Sequence, residues 1–105
     1  MKYGYVRDSL GIEENIEKQI KRIGTVDAII KDTDKSKLCD LVENVVKSGD
    51  TIHISDMNRI TRKIEECSRL YEYLSNMGVK LYVNGTEYKP LSDFMKNLLT
   101  SFKEN

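Results

Sequence analysis

Two periodicities alternate along the chain. Residues 2–7 (Lys-Tyr-Gly-Tyr-Val-Arg) are aromatic and β-branched, predicting a strand that leaves into a loop at Asp8-Ser9-Leu10-Gly11. Ile12, Ile16, Ile20 and Ile23 then form an apolar helical stripe, with Glu and Lys opposite and Gly24 as the stop. Residues 26–30 are a short apolar run and predict a second strand. Residues 32–37 are a polar loop. Leu38, Leu41, Val42, Val45 and Val46 mark a second helix, ended by Ser48-Gly49-Asp50. Residues 51–55 predict a third strand. Ile60, Ile64, Cys67, Leu70, Tyr71 and Leu74 predict a third helix, stopped at Asn76-Met77-Gly78. Residues 79–83 predict a fourth strand. After Asn84-Gly85, Pro90 opens a last helix that runs to about Phe102.

Strands alternating with helices predict an α/β fold with a mainly parallel sheet and right-handed crossovers. Ligands of such folds bind beyond the carboxyl ends of the strands. Ser9 follows the first strand and Asn58-Arg59 follow the third, so both are expected on one rim. Arg59 and Arg62, three apart at the start of the third helix, are expected to share a face. A serine hydroxyl beside Arg7, Arg59 and Arg62 suits a phosphodiester. Guanidinium groups stabilise charge growing on phosphate oxygens and do not titrate away, so no metal is required. The plainer alternative makes Ser9 a helix cap and the arginine pair a solvated surface.

Composition narrows the class. The 105 residues suffice for one modest core, and no proline- or glycine-rich linker divides them. Formal net charge is zero, so composition alone gives no support for nucleic-acid binding. No apolar run reaches the roughly 20 residues of a membrane span, and the N-terminus lacks the apolar core of a signal peptide. The chain therefore reads as cytoplasmic, without a membrane partner. Cys39 and Cys67 are isolated and His53 is the single histidine, so no metal, disulfide or other cofactor is expected. A small signalling receiver would need an acidic pocket at the end of the first strand, where Asp8 stands alone between Arg7 and Ser9.

Several stretches, in order, carry a resemblance. Tyr3-Gly4-Tyr5-Val6-Arg7-Asp8-Ser9 resembles the Y-x-R-V-S opening strand of serine site-specific recombinases of the resolvase/invertase type. Asn15-Ile16-Glu17-Lys18-Gln19 resembles their N-L-x-x-Q. Gly49-Asp50-Thr51 and the strand after it resemble G-D-T-L-V-V. Met57-Asn58-Arg59-Ile60-Thr61-Arg62 resembles L-D-R-L-G-R. The stretch 72–83 resembles the following helix end and strand, and residues 94–99 the start of a long dimerisation helix.

The resemblance implies a three-layer α/β fold, with a mainly parallel four- to five-stranded sheet flanked by helices. Residues 1–89 would be the catalytic core and 90–105 the start of the dimerisation helix, the family's C-terminal DNA-binding domain being absent. Ser9 would attack a DNA phosphodiester to give a 5′-phosphoserine link, with Arg7, Arg59 and Arg62 holding the phosphate. Tyr5, Asn58, Lys35 and Lys37 would contact the substrate. The partner would be DNA, held weakly by this domain alone. The full-length protein would act as a homodimer pairing into a tetramer, without metal or ATP.

Four positions depart from the pattern. Asn58 replaces Asp, and Asp8 replaces Val. Glu14 stands near a usual Gln after a one-residue insertion. Lys35-Ser36-Lys37 replaces a loop arginine. These departures define the alternative: a catalytically weak or inactive recombinase-like domain with a regulatory or dimerisation role.

Overall fold

A computed structural model of the chain describes residues 1–8 and 14–89. Five strands form one sheet: β1 (Lys2–Arg7), β2 (Ala28–Asp32), β3 (Thr51–Ile54), β4 (Lys80–Val83) and β5 (Thr86–Glu87), in the order β2-β1-β3-β4-β5. The β1–β2, β1–β3 and β3–β4 pairs are parallel, and β5 returns antiparallel to β4. This is the mainly parallel α/β sheet that the alternation predicts. The fifth strand follows from a tight turn. Asn84 (φ 49) and Gly85 (φ 81) both take left-handed backbone, as two-residue hairpins require.

Helices cover both faces. On one, Tyr5, Ile52, Ile54 and Leu81 meet Leu38, Leu41, Val42, Val46 and Leu74 in the buried core. Burying each such aliphatic side chain stabilises the fold by about 1.5–3 kcal/mol. On the other lies α1 (Ile16–Ile23). A Cβ at Gly4 would stand 3.4 Å from Ile23 Cγ2 of α1, an ordinary contact, but only 2.8 Å from Ile29 Cδ1 of β2. Asn15 caps α1, its side chain accepting from the Lys18 N–H at 2.9 Å. Ile12 of the predicted stripe, with Ser9, lies outside the described residues, as does the predicted last helix with Pro90.

Two helices differ from their predicted form. The Leu38–Val46 stripe is not one α-helix. Helix α2 (Ser36–Asp40) runs into a single π-helical turn (Leu41–Val45), in which the Val46 N–H reaches the Leu41 carbonyl at 3.0 Å. The wide turn buries Leu41, Val42 and Val46 together and leaves Val45 at the surface.

Helix α3 (Ile64–Met77) begins four residues later than the apolar pattern suggests. Ile60 is buried ahead of it, and Ile64 of the apolar stripe is 73% exposed. Local capping causes the delay. Asp56 caps a 3₁₀ turn (Met57–Arg59) by accepting from the Asn58 N–H, and Thr61 Oγ1 accepts from the Lys63 N–H. Arg59 therefore lies in the 3₁₀ turn and Arg62 in the bend before α3. The expectation that both share a face at the start of one helix is incorrect. At its other end, α3 stops at Gly78, whose φ of 77° closes the helix where a side chain would be strained.

Candidate active site

The carboxyl end of the sheet gathers the charged groups. Arg7 ends β1, and its main chain lies beyond Gly4–His53, the last β1–β3 pair. The carboxamide of Gln19 serves in place of a strand. Its Oε1 accepts from the Arg7 N–H at 2.9 Å, and its Nε2 donates to the Arg7 carbonyl at 2.8 Å and the Glu14 carbonyl at 2.9 Å. Gln19 is fully buried although it stands on a helix rich in charge. One α1 side chain thus ties Arg7 to Glu14.

Glu14 in turn ties two arginines together. Its Oε2 accepts from Arg22 Nη1 at 2.8 Å and its Oε1 from Arg59 Nη2 at 3.2 Å. Arg59 and Glu14 are mostly buried, with side chains 11% and 14% exposed. Burial pushes the Glu14 carboxyl up, but the two guanidinium groups outweigh it and hold the pKa below the ordinary carboxylate value. Ser55, fully buried at the end of β3, also lowers it, although its Oγ makes no hydrogen bond to a described residue. The Nε atoms of Arg7 and Arg59 are likewise buried without a described partner.

A second group surrounds Asp32, which pairs with Arg7 in the β1–β2 register. Its buried carboxylate accepts from the Tyr5 hydroxyl at 3.0 Å and from the N–H groups of Thr33, Lys37 and Leu38 at 2.8, 3.1 and 3.1 Å. Burial alone would raise the Asp32 pKa, but these donors bring it down. Tyr5 moves the other way. Burial, then the bond to Asp32, raises it far above the ordinary tyrosine value, so the phenol stays neutral and donates.

The predicted residues therefore separate. Arg7 and Arg59 stand on one rim, linked through Gln19 and Glu14. Tyr5 lies inside the core with its hydroxyl on Asp32. Asn58 is exposed, and its main-chain N–H donates to Asp56. Arg62 and Lys37 are exposed. Lys35, in left-handed backbone at φ 72°, contributes its charge near Glu66. Ser9 lies outside the described residues. Gln19, Arg22, Asp32 and Ser55 were not among the predicted site residues. A strand-end acid and a glutamine beside the apolar stripe of an otherwise charged helix were the available signals.

A rim of arginines beyond a parallel sheet fits the recombinase resemblance, and comparison with known proteins decides the family. The family model "Resolvase, N terminal domain" matches residues 2–105. The chain belongs to the resolvase N-terminal domain family. This resolvase domain is 30% identical over 112 residues to the transposon Tn501 resolvase of Pseudomonas aeruginosa, covering 96% of the chain and 59% of that protein. The same figures hold for the Tn1721 resolvase of Escherichia coli and the Tn4653 resolvase of Pseudomonas putida. The domain thus spans about three-fifths of the length of the relatives it matches. Among its described residues no helix is long and apolar enough to cross a membrane, and no group of His, Cys, Asp or Glu is placed to hold a metal.

Proposed function

We propose that this domain cleaves and rejoins DNA in site-specific recombination, with Ser9 as nucleophile. The Ser9 Oγ–H loses its proton as the oxygen attacks phosphorus. The bond from phosphorus to the 3′ oxygen breaks, and that oxygen takes up a proton. A 5′-phosphoserine ester and a free 3′-hydroxyl result. Attack by a 3′-hydroxyl on the ester reverses each step, so the strand is resealed without an external energy source.

Arg7, Arg59 and Arg62 hold the phosphate and take up its growing charge. Lys35, Lys37 and Asn58 contact the DNA from neighbouring segments. Tyr5 acts indirectly, by fixing Asp32 and the loop that carries the lysines. The acting assembly is a dimer that pairs into a tetramer. The observation that carries this reading is the resolvase-family rim where Arg7 and Arg59 are joined through Gln19 and Glu14.

The test joins the domain to a sequence-specific DNA-binding module and supplies supercoiled DNA bearing its sites. A protein–DNA adduct on a denaturing gel, lost in Ser9→Ala, is expected. An adduct that survives Ser9→Ala removes Ser9 from the role. A folded, DNA-bound protein that yields no adduct returns the regulatory alternative.

A further inference from the structure

Arg22 has no part in the proposed chemistry, yet it converges with Arg59 on a single carboxylate. It comes from the last turn of α1 and Arg59 from the turn after β3, so two separate elements meet around one anion. Asn84 helps to hold Arg22, its Oδ1 lying 3.4 Å from Arg22 Nε. Ser55 Oγ, buried and without a described partner, stands beside the same carboxylate. Two guanidinium groups and a hydroxyl are donors only too well suited to a phosphate, whose paired oxygens and charge a carboxylate imitates.

We propose that Glu14 is an internal competitor for DNA. In the DNA-free domain it occupies an anion seat formed by Arg22 and Arg59, and a DNA phosphate takes the seat by displacing it. This rests on the reading of DNA as substrate and adds two things to it. Arg22 becomes a phosphate-binding residue, and Glu14 a positioning residue that opposes binding. While Glu14 stays in place, Arg59 is neutralised and a phosphate approaching it meets a like charge.

The test measures binding of a short duplex DNA by the wild-type chain and by Glu14→Gln, across a salt series. Removing one negative charge beside the phosphate is expected to tighten binding about tenfold at low salt. It should also steepen the salt dependence by about one phosphate contact. Adding Arg22→Gln to Glu14→Gln should cancel most of the gain, because the seat then lacks one wall. A purely structural ion pair predicts the opposite pattern: lower melting temperature in Glu14→Gln and in Arg22→Gln alone, and no gain in affinity. Unchanged or weaker binding by folded Glu14→Gln overturns the proposal. Should that variant fail to fold, Glu14→Asp replaces it, its shorter side chain drawing the carboxylate back from the guanidinium groups, with the same expected sign. The Ser9 adduct assay keeps the two readings apart. Tighter binding without any adduct retains the seat and sinks strand transfer. An adduct lost in Ser9→Ala, beside unchanged affinity, does the reverse.

Discussion

Arg59 presents a planar fork whose Nη2 meets Glu14, while its buried Nε has no partner among the described residues. Lysine at that position would keep the charge and lose the fork. Arg59→Lys is therefore expected to slow adduct formation by roughly 10²–10³-fold, read in single-turnover assays, with little change in melting temperature. Asp32 is a different kind of residue. Its carboxylate receives the Tyr5 hydroxyl and several main-chain N–H groups, and an asparagine would turn an NH₂ toward some of them. Asp32→Asn should cost about 3 kcal/mol in urea unfolding, against about 1 kcal/mol for Tyr5→Phe. Arg7 and Arg59 were legible in the sequence because strand ends fix where the rim lies. Glu14, Arg22 and Asp32 were not, because their partners are set by how α1 and the loop after β2 fold back, and no local periodicity encodes that.

At the scale of elements, the first four strands, helix α1 and the body of α3 follow from hydrophobic spacing, since each has one face against the sheet. The failures lie where short polar caps override that spacing. Asp56 and Thr61 insert a 3₁₀ turn and a bend before α3, which separates Arg59 from Arg62. The stripe 60–74 contains no sign of this, because Ile60 is buried as well, only in another element. The crowding of β1 by β2 and the loop before it gives a sharper forecast. A methyl group at Gly4 would press on Ile29 at 2.8 Å and Val26 at 3.1 Å. Gly4→Ala is expected to destabilise the domain by about 1–3 kcal/mol, measured by thermal denaturation.

For the molecule as a whole, zero net charge means that the proposed DNA binding would rest on a few local contacts, so it should be weak and carry a salt slope of only about −0.9 per phosphate contacted. Its stability should respond to acid in two stages. Burial, then the charge of Lys2, depresses the pKa of His53, so the unfolded chain takes up that proton more readily than the folded one. Stability should begin to fall as pH drops below about 6.5, the unfolded histidine value, and His53→Gln should flatten this decline. Asp32 and Glu14 also have depressed folded values. Their contribution is complete above the unfolded value of about 4 and is lost as pH falls through the folded ones. Melting temperatures followed by circular dichroism from pH 8 to 2 would resolve both stages. The wide turn at Leu41–Val45 bears on a different property of the chain, its tolerance of changes in length. A π-turn is an α-turn holding one residue more, so excising the exposed Glu43 would let the helix close into ordinary α-helical register while Val46 and all that follows keep their places. The same excision within β3 would send each later side chain of that strand to the opposite face of the sheet. The molecule thus carries one site where a codon can be lost at small cost, beside a strand where it cannot.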